Sequence, residues 1–316
     1  MADITIEQAI FRGRGELLAR SSGFRDDWLL EAERICTGFG VRPAGVACAG
    51  AVFAQQFGRE HVAVVQVTDL GSTNDPPGFR ALIFPRLIYQ YHLADPFLIA
   101  DRFPPPWNAR GQLPVLAWPE EPLPPRTVSE VQQALKTGDS PTLLGSVQAL
   151  VDGGRVVFQR PASDPELLRK LWMLLPTSTR GEIWPASFAF GNDLGFHVLV
   201  VPAVEEGVYD RYVKEAEAGD YPAGPYETSL QVAAEAGDQR ELDVLFARRS
   251  GRQMMRLLIL ILVLFVILAL AMRFLFGPRP APRPAGWWQS ETRMAALILS
   301  SPHDHAYLLA EEPAKA

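Results

Sequence analysis

Apolar and polar positions follow three textures along the chain: short alternating runs, helical stripes and one unbroken apolar segment. Ile6–Phe11 and Glu16–Ala19 flank Arg12-Gly13-Arg14-Gly15, which predicts a hairpin. From Asp26 to about Thr37 the residues Trp28, Leu29, Ala32, Ile35 and Cys36 recur on one face, predicting a helix that ends at Gly38. Strand-like runs follow at Val46–Gln55, His61–Thr68 and Phe79–Phe84. Their short Gly-containing or Asp/Pro-containing connections favour antiparallel neighbours.

Between Asp101 and Arg126 prolines punctuate the chain together with Trp107 and Trp118. Proline has no backbone donor, so this stretch predicts a semi-rigid extended crossing pinned by its tryptophans. Thr127 and Glu130 form a capping box for a helix carrying Val131 and Leu135. A second unit reads as strand Arg155–Gln159, helix Asp164–Leu175 and strands Ala186–Phe190 and Phe196–Val201, with Ser163 and Glu166 as another capping box. Residues 203–228 are polar, and from Ser229 the pattern predicts a helix running through Arg256 as a stalk.

Leu257–Met272 is an apolar run of 16 residues that resumes after Arg273 as Phe274, Leu275 and Phe276. At about 1.5 Å per residue, 257–276 reaches roughly 30 Å, the thickness of a hydrocarbon core. A core helix would carry a polar stripe and this one has none, so the pattern predicts a membrane span. Arg248, Arg249, Arg252, Arg256 and Arg273 would sit near the bilayer surfaces, and Trp287 and Trp288 at the outer interface beyond the spacer Gly277–Gly286. The basic excess before the span and an N-terminus lacking a signal-peptide pattern predict a single-pass protein of the bacterial inner membrane. Its N-terminal body would be cytoplasmic and its C-terminal tail outside.

The whole predicts an α+β fold: a mainly antiparallel sheet body with packed helices, followed by a helical stalk and one transmembrane α-helix. Residues 1–150 form the first domain, with the crossing at 101–126, and 151–203 a smaller β-α-β-β unit packed on it. A polar linker and stalk occupy 204–256, the span 257–276, and a Pro/Arg spacer and tail 277–316.

A net charge of −6 with scattered basic residues leaves no footprint for nucleic acid. Cys36 and Cys48, the two cysteines, read as packed thiols. Arg12-Gly13-Arg14-Gly15 could be an anion nest, but a hairpin turn is the simpler reading, and no P-loop occurs. Asp69–Asp75 is acidic enough for a calcium loop but lacks the closing Glu, and a surface loop is favoured. Cys48, His61 and Asp69 are a conceivable nucleophilic group, although Cys48 lies in a core-like run. His92 and His197 read as structural, and His303-Asp304-His305 is too small for a closed metal site. Pro122-Leu123-Pro124-Pro125-Arg126 is similar to a polyproline ligand, but within the crossing it reads as structural. No catalytic, cofactor or metal residue is assigned; Arg12, Arg14, Trp107 and Trp118 are candidates for a partner surface.

Ala9-Ile10-Phe11-Arg12-Gly13-Arg14-Gly15-Glu16-Leu17-Leu18-Ala19-Arg20-Ser21, Gly45-Val46-Ala47 with Ala51-Val52-Phe53-Ala54-Gln55, and Asp95-Pro96-Phe97-Leu98-Ile99-Ala100-Asp101-Arg102-Phe103-Pro104-Pro105 carry a family resemblance. The stretch from Gln8 to about Gln133, about 40% of the chain, resembles the type 2 N-terminal domain of bacterial GTPase-associated proteins. The resemblance implies a non-catalytic adaptor working with a GTPase or other NTPase partner in a signalling or defence-like system, and assigns no functional residue. The expectation is therefore a membrane-anchored adaptor, with the lipid bilayer and a protein as partners. The alternative is a membrane-bound hydrolase using Cys48 or a histidine.

Overall fold

The computed structural model describes residues 4–73, 75–119, 123–248 and 251–276, and within the last of these the side chains of 258–273. Contacts divide the chain into a unit spanning Met1–Arg256 and a second spanning Leu257–Ala316.

The first unit opens with the hairpin β1 (Ile4–Arg12) and β2 (Glu16–Ser21). Its turn needs Gly13 at φ 57° and Gly15 at φ 116°, backbone that glycine adopts without a Cβ clash. A short 3-10 turn, Asp26–Trp28, enters α1 (Leu29–Gly38), which buries Ala32, Ile35 and Cys36. β3 (Ala51–Phe57), β4 (His61–Asp69) and β5 (Pro77–Pro85) form an antiparallel meander, and β5 pairs antiparallel with β1. These strands are apolar on both faces because both faces are covered. Val46–Gly50, expected as part of β3, lies outside it.

α2 (Arg86–Ile88) runs into a π-helical turn, Tyr89–Leu93, and then α3 (Pro96–Arg102). In the proline-rich crossing β6 (Gly111–Leu113) pairs parallel to β2, and β7 (Leu116–Trp118) antiparallel to the start of β1. α4 (Val128–Thr137) has both halves of its Thr127/Glu130 capping box. Then come α5 (Ser140–Val151), buried along most of its length, β8 (Val156–Gln159), α6 (Pro165–Leu174) and α7 (Thr177–Glu182). The cap of α6 is Asp164, which accepts from the Leu167 N–H at 3.0 Å, rather than the expected Ser163. β9 (Pro185–Ala186), β10 (Val198–Val201), β11 (Val213–Lys214), α8 (Glu215–Ala218), α9 (Pro225–Ala236), α10 (Gln239–Phe246) and α11 (Gly251–Phe276) complete the described elements.

Among the described residues the strands form one 11-stranded sheet in the order β11-β8-β10-β9-β3-β4-β5-β1-β2-β6, with β7 beside β1. The expected mainly antiparallel body is corrected to a mixed sheet in an α+β fold. β8 pairs parallel with β10 and β11, and β10 with β9; α6 and α7 return the chain from β8 to β9 in the same direction, and irregular connections carry it on to β10 and β11. Gly191–Gly195 lies in the irregular connection from β9 to β10. It carries Gly191 against Gly40, where a Cβ on Gly40 would stand 2.4 Å from the Gly191 nitrogen.

The expected helical stalk is also corrected. Gly237 at φ 71° ends α9, and Asp238 caps α10 by accepting from the Glu241 N–H at 3.0 Å. The two helices pack on each other and α9 on α4 and α5, burying Leu230, Ala233, Leu242, Leu245 and Phe246. A solvated rod would leave those side chains in water.

The expected membrane span is overturned as well: among the described residues no helix is long and apolar enough to cross a membrane. The transmembrane and single-pass descriptions are corrected on that finding.

One buried polar network fixes the proline-rich crossing. Arg80 on β5 faces Ile10 on β1 and Gln66 on β4, and Gln8 shares their face of the sheet. Arg80 is 2% exposed and donates to Gln8 Oε1 at 2.9 and 2.6 Å, to Gln66 Oε1 at 3.0 Å and to the Phe103 carbonyl at 2.5 Å. Gln66 donates to the Ala100 and Phe103 carbonyls at 2.9 and 3.1 Å, and Gln8 to the Pro114 carbonyl at 2.7 Å. Prolines remove donors from the crossing but leave its carbonyls, and the sheet supplies the missing N–H groups. Trp107 packs on Ile10, Ala19 and Leu113 beside this network.

Candidate functional site

A cleft of about 840 Å³ opens between the crossing and the helical side of the first unit. One wall is the π-helical turn with α3, the opposite wall is Trp118–Pro119 and Leu123–Arg126, and α6, α7 and α10 close the remainder. Its volume lies in the range of ordinary ligand pockets.

Local sequence builds the first wall with a strained joint. Ala94 ends the π-helical turn at φ 41° and ψ 27°, a left-handed conformation that costs a non-glycine residue roughly 1 kcal/mol. Asp95 then caps α3, accepting from the Leu98 N–H at 3.0 Å, with Pro96 at the first helical position. Trp172 of α6 holds the joint by donating its indole N–H to the Ala94 carbonyl at 2.7 Å, and its ring meets Phe97 edge-on at 6.1 Å. Tyr89, fully buried, has a hydroxyl with no hydrogen-bond partner among the described residues. Burial raises its pKa, with the Asp95 charge adding to the effect. A π-turn, a left-handed alanine and an orphan hydroxyl within six residues are features that concentrate at functional sites.

Three arginines meet the cleft. Arg180 of α7 donates its Nε–H to the Trp172 carbonyl at 2.6 Å and lies 3.5 Å from Asp95 Oδ2. Burial lowers its pKa and Asp95 opposes the shift. Arg169 of α6 pairs with Asp101 at 2.5 Å, a hydrogen bond that raises its pKa. Arg126 is half-buried, 3.6 Å from the Phe246 ring centroid, and donates to the Met173 and Leu175 carbonyls at 2.9 and 2.5 Å and to Thr177 Oγ1 at 2.9 Å. Burial lowers its pKa well below the usual arginine range, and the Arg180 charge lowers it further.

The residues singled out in the sequence are scattered. Arg12 and Arg14 are exposed on the hairpin turn, beside a shallow open hollow with Glu33 and Pro76. That turn is no anion nest, because Gly13 N–H donates to the Pro77 carbonyl and Gly15 N–H to the Arg12 carbonyl. Trp118, expected on a partner surface, is 3% exposed and packs on Phe103, so only its edge reaches the cleft; Trp107 is half-buried. Arg248 is exposed and its carbonyl accepts from Ser178, while Arg273 is exposed on α11. Arg249, Trp287, Trp288, His303, Asp304 and His305 lie outside the described residues, as do the side chains of Arg252 and Arg256.

Cys48, His61 and Asp69 do not converge as a nucleophilic group. His61 and Asp69 are the two ends of β4, about 26 Å apart at strand rise. Cys48 is fully buried, and burial pushes its thiol up to about 12. Asp69 is held by the Arg42 ion pair and the Cys48 N–H, so it also leaves the suspected calcium loop. No group of three metal-ligating side chains occurs among the described residues. His197 Nδ1 accepts from the Trp184 N–H at 3.1 Å, whereas His92 is exposed at the cleft.

Sequence reading missed Arg180, Tyr89 and Asp95, and took Arg126 only as the end of a proline motif. Asp95-Pro96 was the available signal, since that pair is a helix start. Comparison with family models, with curated proteins and with solved structures returns no match.

Proposed function

We propose that this chain is a partner-binding adaptor whose cleft is its recognition site, working with a GTPase or other NTPase as the resemblance from Gln8 to about Gln133 implies. The carrying observation is the cleft itself: an 840 Å³ opening with aromatic and aliphatic walls and a half-buried guanidinium, built on a strained joint. Aromatic and arginine groups in a desolvated pocket are the groups that anchor protein partners. The distance of His61, at the other end of β4, from Asp69 and the buried Cys48 beside it favours this reading over the hydrolytic alternative, which needs a nucleophile and base within hydrogen-bond reach.

The test uses the full chain as bait against extract of its own host, with GTP, with a slowly hydrolysed analogue and with neither. Mild detergent is included because the side chains of Leu258–Met272 in α11 are apolar and exposed. The expected result is a partner whose retention depends on the nucleotide. Retention of no nucleotide-sensitive protein overturns the proposal.

A further inference from the structure

We infer that the cleft takes an acidic, aromatic-bearing segment of the partner protein, with a carboxylate seated on Arg126; this rests on the partner-binding reading above. The argument is an accounting of charge. Among the described residues each carboxylate lining the cleft already has donors: Asp101 holds Arg169, and Asp95 accepts from Leu98 N–H and faces Arg180. Glu130 closes the capping box with Thr127, and Asp243 accepts from the Gln239 amide.

Of the three arginines, Arg169 and Arg180 each have a carboxylate within 4.0 Å, and Arg126 has none among the described residues. Its partners are two neutral carbonyls and one hydroxyl, which leave its Nε–H and one Nη2–H unengaged among the described residues. A cation desolvated beside another cation is stabilised by an arriving anion more than an exposed one would be. The planar fork suits a carboxylate, and Phe246 beneath it fixes its plane. Leu98, Leu123 and Met173, half-buried at the cleft, supply the apolar wall for an aromatic neighbour.

Fluorescence anisotropy on the full chain in mild detergent tests this, using a labelled peptide of alternating Glu and Phe and its counterpart with Gln for every Glu. The acidic peptide is expected to bind about tenfold tighter or more, the range of one charge-assisted hydrogen-bond pair. Arg126→Gln should erase that preference, Arg126→Lys should retain part of it, and Arg59→Gln, exposed on the β3–β4 turn, should leave it unchanged. Should Arg126→Gln not fold, judged by its thermal melt, a several-fold weaker acidic binding by Arg126→Lys carries the test. Equal binding of the two peptides, an unchanged preference in Arg126→Lys, or displacement of the acidic peptide by inorganic phosphate or GTP overturns the inference. A nucleotide-sensitive partner retained equally by Arg126→Gln would sink the carboxylate seat and leave the adaptor reading standing. Peptide discrimination without any retained partner would do the reverse.

Discussion

Arg80 and Arg126 make an instructive pair, because neither has a carboxylate within ion-pair distance among the described residues and each bonds backbone carbonyls beside the same proline-rich crossing. Arg80 is sealed, with four hydrogen bonds to two glutamine side chains and the Phe103 carbonyl. Burial brings its pKa down to about 10, which leaves it a cation at neutral pH, solvated by protein dipoles in place of water. Arg126 bonds three neutral groups and faces an open cleft. The difference lies in saturation: the first cation has spent four of its five donors on the fold, and the second, with three spent, holds two in reserve among the described residues.

The largest expected effect comes from the residue between the two. Trp118 packs on Phe103, which receives Arg80, and also edges the cleft. Trp118→Ala should lower stability by about 4 kcal/mol in denaturant melts and weaken partner retention too. A loss of binding with unchanged stability would show that the two regions are not coupled there. Next, Arg80→Met should cost about 3 kcal/mol, because Gln8, Gln66 and the Phe103 carbonyl lose a charged donor inside the core. At a temperature where this variant is folded, its peptide preference should match that of the unmodified chain.

Arg126→Gln should reverse that pattern, with about 1 kcal/mol lost in stability and the tenfold acidic preference gone. Similar stability losses in the two arginine variants would erase the distinction between sealed and reserve cation.

The smallest effect is on pH dependence and sharpens the contrast from the far side of the sheet. Cys36 and Cys48 are both pushed up to about 12 by burial, so the folded chain keeps protons that the unfolded chain releases from about pH 9. The thiols' contribution to stability should be flat below that point and fall between about pH 9 and 12. Cys48→Ala should flatten the fall without changing peptide binding at neutral pH.

Local structure was legible where one short signal sufficed. Arg12–Gly15 marked the hairpin, Trp28 to Cys36 marked α1, and Thr127 with Glu130 marked the start of α4. The parallel half of the sheet was not, because strands of two to four residues are too short to show alternation, and their pairing is set by long connections, helical from β8 to β9 and irregular from β9 to β10 and β10 to β11. Gly237-Asp238 was a readable stop and restart, but the apolar run beyond it drew the eye to one continuous helix. The cleft was least legible. It gathers Asp95, Arg126, Trp172 and Arg180 from four separate stretches, and a π-helical turn leaves no periodic trace.

The carbonyl-held crossing has a consequence for how this protein can change over time. Gln8, Gln66 and Arg80 grip the oxygens of Ala100, Phe103 and Pro114, a group that every amino acid carries. Exposed positions such as Pro104, Pro106, Asn108 and Arg110 are therefore free to drift in identity while the path of the backbone stays put. Heredity here acts on three residues of the sheet, and the segment they hold can be rewritten around them, along with the outer rim of whatever its cleft recognises.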